Sequence, residues 1–376
     1  MNSNASIIRK NSIDYLKNKF TPSIFKLISL GLPEYSDRTK EWRVAVVYSE
    51  QAIGFLYFSS NGEKLNYKKS SNINLMEQKI KSKKNSNSKI KQKKKDNTFY
   101  VSPLDSMYIN GDSLYELKQL PDNSIDMVFT SPPYYNAKTE YSEYDSYNSY
   151  LDFIQQIIHE IKRVLMPGKF FIIDSSPVLI PRIDRSHSST RIGVPFDIHG
   201  LFIKEGYEFV DDIIWEKPEG AGWASGRGRR FAADRNPMQY KPVPVTENIM
   251  VYRNGTDHLI DWYIHKHPDQ ELVQNSKIIG DYEKTNIWRI NPATDKRHPA
   301  IFPRELAKKV IQYYSFKNDV VLDPFGGLAT TAKAALELDR RFVSIELNDD
   351  YYREGLKDLD KEFAIYLDNV IIKNND

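Results

Sequence analysis

The chain has 376 residues, 40% hydrophobic and 12% aromatic, enough for one large or two ordinary domains with a sizeable core. No apolar run approaches the ~20 residues needed to cross a bilayer, and the absence of cysteine excludes disulfides, thiolate zinc sites and any reaction that needs a thiolate nucleophile. A net charge of +3 is too small to name a nucleic-acid partner, so the placement of charge matters more than its sum.

The first residues, MNSNASIIRKNS, lack the hydrophobic core of a signal peptide, and a cytoplasmic location with no membrane partner is expected. Residues 12–30 read as one or two amphipathic helices around Thr21-Pro22, a cap followed by a first-turn proline. Residues 42–48 and 52–58 read as strands, with Asn61-Gly62 turning after them. Together these make a small accessory α+β element over residues 1–62. From Lys64 to Lys95 the composition shifts to Lys, Asn and Ser, so residues 63–98 read as a flexible linker. Its lysines suit phosphates without sequence preference, or form a plain solvated tether.

Order returns near Phe99, and residues 99–376 read as one domain. Residues 107–112 read as a strand ending in Gly111-Asp112, before a helix over 113–120. Residues 125–129 form a short apolar run, and Thr130-Ser131-Pro132-Pro133-Tyr134 follows where it ends. Two consecutive prolines remove two backbone donors and hold Ser131 and Pro132 extended. The carbonyl at this turn is thereby free to accept a hydrogen bond beside the Ser131 hydroxyl and the Tyr134 ring. Such a grouping suits a planar amine, for example the exocyclic NH2 of a base taken out of its stack. Taken alone, Pro-Pro equally well just ends a strand. Tyrosines crowd residues 135–150, as a lid or as ordinary packing.

Residues 151–165 carry apolar side chains at helical spacing, and Pro167-Gly168 stops them. A strand over 169–173 then delivers Asp174 at its carboxyl end, the edge where ligands bind in open α/β sheets; Asp174 is a second acceptor or proton acceptor there, or else a helix cap. Residues 195–202 read as a crossover helix, and 208–215 and 248–252 as a closing antiparallel pair. Between and after them, over about 216–290, the pattern weakens. Arg227, Arg229 and Arg230 fall among glycines there, with Arg235 and Lys241 following, a cationic loop able to follow a phosphate backbone or else a solvated surface loop. His298-Pro299-Ala300-Ile301-Phe302-Pro303 precedes an amphipathic helix over 304–314. Residues 320–331, VVLDPFGGLATT, repeat the strand–turn–helix form; glycines here let backbone approach a ligand closely. The next strand, 341–347, brings Glu346 about 20 residues past the glycines, the spacing at which an acid meets ribose hydroxyls.

Together, TSPPYYN and DPFGGLATT resemble the catalytic and cofactor motifs of the DNA amino-methyltransferases that use S-adenosylmethionine. The catalytic motif comes first, which is the permuted order of the β class. The resemblance spans about residues 108–352; Ala329 stands where the family prefers glycine. It implies a Rossmann-like class I methyltransferase, α/β with a mostly parallel seven-stranded sheet, plus the accessory element and a DNA-recognition region. It implies a catalytic set of Ser131, Pro132, Pro133, Tyr134 and Asp174. Its cofactor set is Asp112, His298, Phe302, Asp323, Pro324, Phe325, Gly326, Gly327, Thr330 and Glu346, with no metal. Partners implied are double-stranded DNA and a companion restriction endonuclease. Ser131 and the HPAxFP wording look more like cytosine-N4 enzymes, with adenine-N6 methylation or a non-catalytic DNA-binding module as alternatives. With no cysteine, methylation of a ring carbon of cytosine lacks its usual nucleophile.

Overall fold

The computed structural model describes residues 2–48, 51–87, 98–135, 144–180, 186, 190–218, 242, 244–298 and 301–374, and the chain divides into two compact units, Met1–Asp96 and Asn97–Asp376.

In the first unit, α1 (Asn2–Lys17) buries Ile8, Ser12 and Leu16, spaced four apart on one face. α2 (Pro22–Phe25) begins after Thr21 with proline in its first turn. β1 (Ile28–Leu30), β2 (Glu34–Ser36), β3 (Glu41–Tyr48) and β4 (Gln51–Phe58) form an antiparallel sheet in which β3 pairs with the other three. Residues 28–30, expected to be helical, are extended because their backbone pairs with residues 46–48 of β3. The linker expectation also needs correcting. Ser70 and Ser71 accept hydrogen bonds from the Tyr57 and Phe55 backbone N–H groups along β4, and α3 (Ile73–Asn87) buries Met76 and Ile80 in the core of this unit. A few apolar residues inside a polar stretch suffice to fold it onto an open strand edge.

The second unit opens with β5 (Ser106–Asn110), α4 (Ser113–Gln119) and the fully buried β6 (Ile125–Thr130). α5 (Tyr147–Val164) starts at a capping box formed by Ser146 and Ser149 and buries Ile154, Ile157, Ile158, Ile161 and Val164. β7 (Leu165–Ser175) already includes Pro167-Gly168, where a stop was expected; Gly168 takes φ +79°, and the register with β6 shifts between Ile125 and Met127. There follow the β8 (Val178–Ile180) and β9 (Thr190–Ile192) hairpin, α6 (Val194–Lys204), β10 (Glu208–Glu216) and β11 (Thr246–Arg253). After α7 (Ile260–Lys266), α8 (Gln270–Asn275) and β12 (Ile287–Arg289) come α9 (Arg304–Tyr314), β13 (Val320–Asp323) and α10 (Thr330–Glu337). β14 (Arg341–Glu346), α11 (Asp349–Leu367) and β15 (Val370–Lys373) complete it.

The sheet runs β12-β10-β11-β7-β6-β13-β14-β5-β15, and β11 alone is antiparallel to its neighbours. Its inner seven strands are the expected Rossmann-like class I sheet; β12 and β15 extend it at either edge. Alternation along the strands divides the core. Val128, Leu322 and Ile345 face α4, α5 and α6, whereas Met127, Phe129 and Val321 face α9, α10 and α11. At the amino ends of the central strands, the buried Lys169 ammonium lies 3.0 Å from Asp126 and 3.1 Å from Asp319, fastening β7 to β6 and to the start of β13. Among the described residues, no helix is long and apolar enough to cross a membrane.

Candidate active site

β6 and β13 are parallel neighbours, with Met127 opposite Val321 and Val128 opposite Leu322. β6 leads on to β7 on one side and β13 to β14 on the other, so the carboxyl ends of β6 and β13 flank the switch point where open α/β sheets bind ligands. The two halves are bonded together there. Asp323, 1% exposed, accepts hydrogen bonds from the Thr130 hydroxyl (2.7 Å), the Phe325 N–H (3.1 Å) and the Thr331 hydroxyl (2.6 Å). Its carboxylate is thus occupied with holding the turn of β13 to the end of β6. Burial raises its pKa, and the two threonines oppose that rise.

Glu346 ends β14 beside this turn. One carboxylate oxygen accepts the Gly327 N–H at 2.7 Å and the other accepts the Asn348 N–H at 2.7 Å. Burial raises its pKa against these two bonds. A carboxylate offers about four lone-pair sites, so acceptor capacity remains. A Cβ at Gly326 would stand 2.1 Å from the Ser344 hydroxyl, which would have to turn away to admit it. Gly327 has φ +51° and lies against the His298 ring, which itself packs on Tyr351. Ala329 also adopts left-handed backbone, φ +60°, so the turn keeps its shape with a Cβ where glycine was expected.

Asp112 stands at the head of α4, where its side chain accepts from the Tyr115 N–H at 2.8 Å and caps the helix. The Gly111 N–H and the Asn110 side chain both donate to the Glu346 carbonyl, and Ser113 donates to the Pro324 carbonyl. Asp112, Pro324, Gly327 and Glu346 are therefore brought to one edge. Phe325 is partly buried near Phe153, Phe302 packs on Phe129, and Thr330 opens α10.

On the other side of the switch point, one face of the sheet carries a polar row. Met127 and Phe129 point to the α9–α10–α11 face, and the same alternation brings Ser131 to that side just past β6. Ile172 on β7 leads to Asp174 on that face, Ile249 on β11 to Glu247, and Trp215 on β10 to Lys217. The Tyr134 hydroxyl donates to Glu247 at 2.8 Å, and Lys217 pairs with the other Glu247 oxygen while lying 4.4 Å over the Trp215 ring. Asp174, 1% exposed and within the strand rather than capping a helix, keeps its Oδ1 buried with no hydrogen-bond partner. Burial pushes its carboxyl well up, and Glu247 pushes it further, against Lys217. Burial likewise raises the Tyr134 hydroxyl, with Glu247 and Asp174 adding to the rise. Pro132 is buried and Ser131 and Pro133 are partly exposed.

Glu247 and Lys217 escaped the reading of the sequence, as did the bond from Thr130 to Asp323. Only the pairing of Ile249 with Asp174 puts Glu247 on the face of the site; no motif marks it. Arg227, Arg229, Arg230, Arg235 and Lys241 lie outside the described residues, as do Pro299 and Ala300.

A family model described as DNA methylase matches residues 125–357. The Type II beta methyltransferase M.BslI of Bacillus sp. (strain NEB-606) is 29% identical over 255 residues, which are 65% of this chain but 26% of that one. The DNA adenine methyltransferase YhdJ of Escherichia coli (strain K12) is 30% identical over 266 residues, 67% of this chain and 82% of YhdJ. The crystal structure of TTHA0409, a putative DNA modification methylase from Thermus thermophilus, superposes with a TM-score of 0.55 at 25% identity, covering 72% of this chain and all of that one (100%). With the two motifs in the β-class order and their turns bonded together at one sheet edge, the chain belongs to the DNA methylase family of S-adenosylmethionine-dependent amino-methyltransferases.

Proposed function

We propose that this protein transfers a methyl group to the exocyclic N4 of cytosine in duplex DNA, at a specific sequence and within a restriction-modification system. The observation that carries the reading is the polar row itself. Ser131, the extended Pro132 carbonyl and the orphan Asp174 oxygen sit along one sheet edge, beside the turn that Asp323 and Glu346 hold. The residues fit the cofactor: Glu346 retains lone pairs for vicinal hydroxyls, and the turn at Gly326 and Gly327 lies against Ser344 and His298 without side chains of its own. When bound, S-adenosylmethionine supplies a methyl group already activated on sulfur.

The protein's task is to prepare the acceptor. An exocyclic amine delocalises its lone pair into the ring, and acceptors on both N–H groups draw the nitrogen toward tetrahedral geometry. Ser131 and the Pro132 carbonyl supply two such acceptors, Pro133 stiffens the turn, and the Tyr134 ring offers a stacking face for the base. The methylated nitrogen then gives up a proton to water or to an acid of the row. Taking the base from the duplex costs a few kcal/mol, offset by stacking and by phosphate contacts. Arg227, Arg229, Arg230, Arg235 and Lys241 are our candidates for those contacts. A companion endonuclease and a cytoplasmic location belong to the same proposal.

Ser131 favours cytosine over adenine by resemblance, whereas YhdJ, named as an adenine enzyme, favours adenine-N6. DNA methylated by the purified protein, digested to nucleosides and weighed by mass spectrometry, tests the choice. N4-methylcytosine is expected. N6-methyladenine would overturn the base assignment, and 5-methylcytosine would overturn the amine chemistry altogether.

A further inference from the structure

We propose that Glu247, pinned by Lys217, is the positioning residue of the target-base pocket: it holds the Tyr134 ring by its hydroxyl and one Asp174 oxygen by a shared proton, which leaves the second Asp174 oxygen as an oriented acceptor. The inference rests on the reading of this edge as the site of amine methylation.

The geometry is specific. Glu247 Oε2 accepts from the Tyr134 hydroxyl at 2.8 Å, and Oε1 is paired with Lys217. Ile249 pairs with Asp174 across β11 and β7, which sets Glu247 next along the same face as Asp174, and Asp174 Oδ1 has no hydrogen-bond partner. Burial and the neighbouring Glu247 both push the Asp174 carboxyl well up, so Asp174 keeps a proton that it can share toward Glu247. Among the described residues, the titratable groups facing Asp174 are Glu247 from β11, Lys217 from the end of β10 and Tyr134 from the loop after β6. Among Asp174, Glu247 and Lys217, one Lys charge offsets one net negative charge, which suits a pocket that must take in an uncharged base. Asp174 Oδ1 then stands as a buried acceptor with nothing of the protein to satisfy it, at the edge where Ser131 and Pro132 offer theirs.

The test compares Glu247→Ala and Glu247→Gln with the wild-type protein. Labelled methyl incorporation into DNA from a host lacking base methylation is followed across pH, with S-adenosylmethionine affinity measured by calorimetry. Glu247→Ala frees the Tyr134 ring and the Asp174 oxygen together, and kcat/KM should fall about 10- to 100-fold with cofactor affinity unchanged. Glu247→Gln can still accept from Tyr134 through its carbonyl and donate to Asp174, but its NH2 then stands against Lys217, so it should recover part of the rate. With no anionic neighbour Asp174 stays ionised and takes an amide N–H in place of the shared proton, so the alkaline limb set by loss of that proton should be absent from this variant's pH profile. Wild-type rate and an unmoved pH limb in both variants would overturn the inference, as would loss of cofactor affinity in parallel with rate. The variant-to-wild-type ratio is read whichever base carries the label, so a wrong base assignment and a wrong role for Glu247 give different results.

Discussion

Asp323 offers the sharpest separation between holding the turn and holding the ligand. In the folded protein its carboxylate, 1% exposed, receives Thr130, Phe325 and Thr331. Asp323→Ala strands two hydroxyl donors on side chains that are each 1% exposed; Phe325 is only partly buried, so its N–H can turn to water. Each stranded buried donor costs about 1–3 kcal/mol. Part of that is returned, because the carboxylate itself no longer has to be desolvated. The net loss should be about 2–4 kcal/mol in urea unfolding of the second unit. Thr331→Val removes a single bond and should cost about 0.5–1.5 kcal/mol, which keeps the comparison usable if the alanine variant folds poorly. If Asp323→Ala unfolds within about 0.5 kcal/mol of wild type, the scatter of a silent surface change, but no longer binds S-adenosylmethionine, the carboxylate is a ligand and the clamp reasoning is wrong.

Three further outcomes follow from the same structure. Glu346→Ala should weaken S-adenosylmethionine binding by about 1.5–3 kcal/mol in calorimetry, since it removes a charged acceptor and releases the Gly327 N–H; unchanged affinity in a folded variant would remove Glu346 from the cofactor site. Lys169→Met leaves Asp126 and Asp319 buried without their cation and should cost about 3–5 kcal/mol of stability by urea titration. Burial and the neighbouring Asp126 raise the Asp319 pKa to about 6, so its stabilising contribution is full below its unfolded pKa of about 4 and is lost as pH rises through 6. The stability difference between wild type and Asp319→Asn should therefore shrink across that window, and a flat difference would refute the assignment.

The central motifs were legible because their residue types are tied to local backbone needs. Pro132-Pro133 fixes an extended turn wherever it occurs, and Gly326 and Gly327 mark a backbone approach that a side chain would block. Apolar spacing placed α9 at residues 304–314 without error and located β6 and β14 to within a residue. What the sequence hid depends on register. Glu247 reads as an ordinary charge before an apolar run, and it becomes part of the site only because Ile249 pairs with Asp174 across antiparallel strands. The bond from Thr130 to Asp323 joins residues 193 positions apart. In the first unit, α3 was missed because its stretch is mostly Lys, Asn and Ser, and two buried residues, Met76 and Ile80, decide its packing.

The central claim is that the row beginning at Ser131 acts on the amine and leaves cofactor binding to the turn beside it. Single-turnover methyl transfer by Ser131→Ala, measured alongside calorimetric S-adenosylmethionine affinity, tests it most directly. The predicted result is a transfer step slowed by about tenfold or more with the affinity unchanged, because the lost acceptor works on the transition state. An unchanged transfer rate, or a loss of affinity as large as the loss of rate, would contradict the account.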